Sequence, residues 1–208
     1  MKIHLAVMAF LILLFAGSIA YTVALEPTEI SEMPDSIDQS DEYRKGLLFA
    51  ELYQTALQQY LASTPAMDRQ LAEQLALSKA YSEAYDLKLT EEQTREKWQE
   101  RNLLAEYARE NNIYPSEQEI RAYIQVVADS FLHVSPQMEE GVMAGLGITE
   151  EQFYFQFMRG SYEEALVRLA IVEELKKKHA KLDDESDSHY HTRMLAEVDK
   201  LVVELKGR

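Results

Sequence analysis

The sequence predicts an all-α protein. It reads as a multi-helix orthogonal bundle whose C-terminal helix packs back onto the core, preceded by an N-terminal transmembrane or signal helix. Three observations carry this expectation. Glycine and proline are scarce, seven and five in 208 residues, whereas a sandwich or barrel needs a turn signal about every 8–12 residues. Three capping boxes, Thr90 to Gln93, Ser116 to Glu119 and Thr149 to Gln152, place a hydroxyl at an N-cap and a Glu or Gln three residues on. Apolar residues then recur at helical spacing through most of the chain after residue 45.

Residues 1–25 form the first element. Lys2 is their only full charge, and the apolar run over residues 3–25 is interrupted only by His4, Gly17, Ser18 and Thr22. About 20 helical residues cross a hydrocarbon core, so the run is long enough to anchor the chain in a membrane. The other reading is a signal peptide with its apolar region over residues 5–15, cleaved near Ala20 or Ala24. Both readings send the remainder across the membrane. The first base after Lys2 is Arg44, and basic residues are retained on the cytoplasmic side. The expected location is therefore the cell membrane, N-terminus inside and domain outside, or secretion after cleavage. Residues 26–45 carry two prolines and many acids without apolar periodicity, which predicts an acidic flexible linker.

The helical domain is expected over residues 46–208, with a core over 46–180, a polar break over 181–190 and a closing helix over 191–206. Its first helix carries Leu48, Leu52, Ala56 and Tyr60 on one stripe, broader on the side of Leu47, Tyr53, Leu57 and Leu61. Ser63, Thr64 and Pro65 break it, with Pro65 suited to the first position of the next helix. That second helix runs from Met67 through Leu71, Leu75, Ala80 and Ala84 to Leu87. A third is expected over Glu91–Glu110, stopped at Asn111 and Asn112, since Asn tolerates the left-handed conformation of a helix end. A fourth covers residues 117–133. A short segment over 136–144 then leads to a flexible corner at Gly145, Leu146 and Gly147.

The fifth helix, over residues 150–179, is expected to be the longest. Tyr154, Met158, Tyr162, Ala165, Leu169 and Val172 line one side, and Phe153, Phe157, Val167, Ile171 and Leu175 widen it. So wide a face needs more than one neighbour. Its end, Lys176 to His179, places cations where the helix dipole is negative. The closing segment has Met194, Leu195, Val198, Leu201, Val202 and Leu205 at helical spacing, although Leu201 to Val203 leaves a short strand open.

The stretches from Asn102 to Ile124 and from Gly145 to Ile171 resemble the N-terminal chaperone domain of the SurA/PrsA class. Ala108, Ile113, Ser116, Glu119, Gly147, Ile148, Thr149 and Phe153 match its phrasing, and the likeness covers residues 47–180. It implies a fold that binds unfolded or exported polypeptides. Members of that class often carry a parvulin prolyl-isomerase domain between the long helix and the closing one. Here residues 181–190 hold that place, and a folded module needs at least about 50 residues. No isomerase domain and no enzymatic activity are expected. PrsA relatives are usually anchored through a lipidated cysteine, which this chain lacks; its own apolar segment would serve instead.

Thirty-six acids against twenty-one bases give a net charge of −15, a field that repels a phosphate backbone and excludes nucleic acid as a partner. The lack of cysteine excludes disulfides and thiolate chemistry. His189 and His191 behind Asp183, Asp184, Glu185 and Asp187 are suitable ligand types but have no imposed geometry, so no metal site and no cofactor are expected. His133 and His179 lie near helix C-termini, where the dipole favours imidazolium. The acid pairs at 139–140, 150–151 and 163–164 are sequence neighbours that do not face one another on a helix, which reads as solvated surface. The candidate peptide-binding residues are Met138, Met143, Phe153, Tyr154, Phe157 and Met158. Methionines adapt to varied apolar partners and aromatics add area at little entropic cost. The alternative is that these residues fill the core. Expected partners are unfolded or secreted polypeptides, with an adaptor for one envelope protein as the alternative function and a degenerate isomerase as the third.

Overall fold

A computed structural model describes residues 39–64, 66–129 and 136–208, and no strand occurs among them. The helices are α1 (Gln39–Ser63), α2 (Arg69–Ala84), α3 (Glu91–Glu110), α4 (Glu117–Ala128), α5 (Pro136–Leu146), the single turn α6 (Glu150–Gln152), α7 (Arg159–Lys178) and α8 (Asp187–Lys206). A π-helical turn, Phe153–Phe157, links α6 to α7. The apolar leader with its cleavage positions, the linker up to residue 38, Pro65, His133 and the last turn expected of the fourth helix lie outside the described residues.

All three capping boxes form. The hydroxyls of Thr90, Ser116 and Thr149 accept from backbone N–H groups three residues on, and the side chains of Gln93, Glu119 and Gln152 accept from the backbone of their caps. Helix ends follow an equally local rule. After α3, Asn112 is left-handed at φ 56°, and Ile113 N–H donates to the Ala108 carbonyl at 2.9 Å, the closing bond of a Schellman motif. Asp86 and Gly147 are left-handed in the same way, with Leu87 bonded back to Ser82 and Ile148 to Met143. The second helix therefore stops at Ala84, and Leu87 lies beyond its cap.

Other expectations are corrected as well. The first helix begins at Gln39, so residues 39–45 are helical rather than linker; Arg44 and Lys45 pair with Asp41 and Glu42 one turn earlier, which suits an exposed first turn. Gly145 is no corner: it lies inside α5, and only Gly147 sits in the turn. The fifth helix is interrupted, because Met158 N–H donates to the Phe153 carbonyl five residues back at 2.9 Å, the π-type bond. Among the described residues the longest helix is α1, with 25 residues. Leu169 is exposed rather than part of the buried stripe, and the segment from Leu201 to Val203 is helical.

The core falls into two clusters. In one, Phe49 of α1, Ile120 and Ile124 of α4 and Val142 of α5 close on Phe153 and Tyr162. In the other, Met194, Val198 and Val202 of α8 bury against Leu104 of α3 and Ile171 of α7. The C-terminal helix thus packs back, and α7 serves both clusters. Its turn onto α8 is tied by Tyr190, whose hydroxyl donates to the carbonyls of Lys176 at 3.1 Å and His179 at 2.7 Å. Arg193 adds a two-pronged ion pair to Glu185 at 2.9 and 2.8 Å and a bond to the Ala180 carbonyl. These bonds satisfy carbonyls that the end of α7 leaves without helical partners.

Candidate functional site

The six candidate residues gather at one cluster, but not on one surface. Phe153, Tyr154 and Met158 are 3–7% exposed and belong to the interior, while Met138, Met143 and Phe157 are partly buried beside them. Phe155, absent from the expected set, packs with them as well. Tyr154 donates to Glu139 at 2.8 Å, and Tyr85 donates to the Met138 sulfur. Burial, followed by that bond to Glu139, pushes the Tyr154 hydroxyl pKa far up, so it remains a donor. Glu139 is consequently not the solvated acid its sequence neighbourhood suggested. Nor is Glu163, which accepts from Tyr114 and lies 3.9 Å from Arg159.

Among the described residues no three His, Asp or Glu side chains converge at a distance that could hold a metal. His189 is exposed and His191 half-buried; burial and then the Lys176 charge push the His191 pKa down. Glu185, in the same segment, is drawn into the Arg193 ion pair.

A concave feature lies elsewhere, between α3 and α7. It encloses about 510 Å³, within the range of sites that take small molecules or short peptide segments. Leu104 and Val167, both buried, form its floor. Arg101, Asn102 and Arg109 rise from α3, Glu163 and Arg168 from α7, and Tyr114 closes one end. The Arg101 guanidinium lies against the backbone of Gly160, with Nη2 3.0 Å from where a Cβ there would stand. Arg109 lies over the Tyr114 ring, 4.3 Å from its centroid, a cation–π contact.

These arginines escaped the sequence reading. A signal for Arg101 was present: positions three and four residues to either side hold Lys97, Trp98, Leu104 and Ala105, none an acid, so a same-helix ion pair is impossible. Arg109 does have Glu106 three residues back, yet it turns to Tyr114, a contact that only the end of α3 creates.

The described residues form an all-helical body with a groove between α3 and α7 that has an apolar floor and guanidinium, amide and carboxylate walls. No protein-family model matches the chain, and no match is found among curated proteins or solved structures.

Proposed function

We propose that this chain is a membrane-tethered, extracytoplasmic binding module that holds unfolded or exported polypeptides, with the helical arrangement of the SurA/PrsA-type chaperone domain. The observation that carries the reading is the closing of the α3–α7 core by a C-terminal helix, beside a groove that offers both apolar floor and polar walls. An unfolded client presents apolar side chains and unpaired backbone groups together, and such a mixed surface suits it. The excess of acids favours solubility and repels acidic chains from the general surface, away from any locally basic groove. The tether is residues 3–25. The test is aggregation suppression by the full chain in detergent micelles, against a thermally unfolding client. Protection at equimolar ratio is expected, and none at several-fold excess would refute the reading.

A second reading, an adaptor for one envelope protein, is favoured by the short connector between α7 and α8. Residues 179–186 join the two helices directly, so the isomerase that often accompanies this layout has no place there. Crosslinking in the native membrane separates the two: many clients support the first reading, one stoichiometric partner the second.

A further inference from the structure

Every arginine within the described helices has a carboxylate oxygen within 3.8 Å except two, Arg101 and Arg109. Both line the same cleft. In a chain with 36 acids against 21 bases, carboxylates are abundant, and two guanidinium groups left without one at a single groove are a pattern rather than a shortage. We propose that the α3–α7 cleft is a carboxylate-binding site that takes an extended acidic peptide segment, with acidic side chains four residues apart meeting Arg101 and Arg109.

The two guanidinium groups are held in place without being neutralised. Arg101 is half-buried against Gly160, and Arg109 is stacked on Tyr114, whose hydroxyl is in turn bonded to Glu163. A fork fixed by stacking loses little freedom when a carboxylate arrives, and guanidinium is the group that grips carboxylate through two parallel bonds. The acids of the cleft are largely engaged: Glu164 holds Arg168 at 3.2 Å and Glu163 serves Tyr114 and Arg159. Glu106, exposed on the rim, is the remaining countercharge and disfavours a third acid in the ligand.

Spacing selects the form of the ligand. Eight helical residues separate the two arginines, a rise of about 12 Å. An extended chain advances about 3.3 Å per residue and returns to the same face every second one, so positions i and i+4 lie about 13 Å apart on one side. The residue midway between them would face the floor of Leu104 and Val167, which favours a small apolar side chain there. Asn102 and Gln70, also lining the cleft, are amides able to bond the ligand backbone. The site does not depend on general holding of unfolded chains; it would stand equally in an adaptor for one acidic segment.

The experiment is fluorescence anisotropy on the full chain in detergent micelles at low salt, with an acetylated and amidated probe, Ser-Glu-Thr-Val-Thr-Glu-Ser. Replacing both probe glutamates by glutamine is expected to weaken binding at least tenfold, and placing them side by side at least threefold. Arg101→Gln with Arg109→Gln should bring the acidic probe down to the glutamine level while leaving the glutamine probe within twofold. Among the described residues neither arginine makes an ion pair, and thermal melting by circular dichroism checks that the variant remains folded. Should it not fold, the arginine Nε–H resonances of the unaltered chain decide: the signals of Arg101 and Arg109 must shift with added probe. Equal binding of the two probes, an unaffected double variant, or shifts confined to other arginines would overturn the proposal. A chain that fails to suppress aggregation yet binds the acidic probe as described would refute the general chaperone reading and leave this site intact.

Discussion

Gly46 on α1 and Gly141 on α5 meet backbone to backbone: the Gly46 Cα lies 3.0 Å from the point that a Cβ on Gly141 would occupy. A Cβ on Gly46 would in turn collide with the Met138 carbonyl oxygen and stand 2.8 Å from the Val142 nitrogen. The obstructing atoms are main chain and cannot rotate away. Gly46→Ala or Gly141→Ala is expected to destabilise the protein by about 2 kcal/mol, an overpacking cost of up to about 3 offset by about 1 of helix propensity. Chemical denaturation checks it, and an unchanged midpoint would refute the close crossing.

Gly160 makes the opposite case. A methyl there meets only the far end of the Arg101 side chain, 3.0 Å away, which can swing aside. Gly160→Ala should leave stability unchanged or raised by up to about 1 kcal/mol through helix propensity, while lowering acidic-probe affinity a few-fold by displacing the guanidinium. A melting curve with an anisotropy titration reads both, and a loss of stability would contradict this placement.

Tyr190 caps the end of α7 from α8. Tyr190→Phe removes a hydroxyl that serves two carbonyls while keeping the ring that Arg193 faces at 5.2 Å. The expected cost is about 1 kcal/mol, the net value of one well-made hydrogen bond. Hydrogen exchange should quicken over residues 176–190 before it quickens elsewhere.

The Glu185 carboxyl, in the same latch, is held down to about 2 from its ordinary 4.5, first by the Arg193 hydrogen bonds and further by the Leu182 N–H. The ionised acid is the form the folded protein prefers. Its contribution is complete above pH 4.5 and is lost as the pH falls toward 2. Wild-type protein and Glu185→Gln should therefore differ in melting temperature at pH 6 and converge near pH 2. A difference that persists at pH 2 would show that the pairing is not ionic.

Tyr154→Phe leaves Glu139 without the donor at 2.8 Å. The carboxylate is partly buried, and the expected loss is about 1 kcal/mol, the net contribution of one hydrogen bond. Urea denaturation at pH 7 tests it, and an unchanged midpoint would refute the pairing.

What could be read from the residues in advance was local. Thr90, Ser116 and Thr149 announce helix starts because a capping box needs only four consecutive residues, and Asn112 announces an end because its left-handed turn is its own property. The glycines could not be read this way. Gly145 beside Gly147 looks like a hinge, yet it lies in the helix with its missing side chain making room for Ala50, 95 residues earlier in the chain. The small-residue spacing of Gly141 and Gly145 was the available hint. The π turn escaped because a bond spanning five residues leaves the capping box intact and shifts the apolar phase only afterwards. Phe153 and Tyr154, side by side in sequence, are both buried where that turn begins. For the candidate site the obstacle was different: whether an arginine lacks a partner depends on every acid in the folded molecule, and no window of sequence contains that information.

The interlocked crossing of α1 and α5 also has a mechanical meaning. The chain joins its first 38 residues to the body through the start of α1, seven residues ahead of Gly46. A pull applied at Gln39 along the α1 axis reaches this contact within about two turns of the helix. Main-chain atoms meshed this closely cannot slide along one another without collision, so tension along that axis bears on α5 as well as on α1.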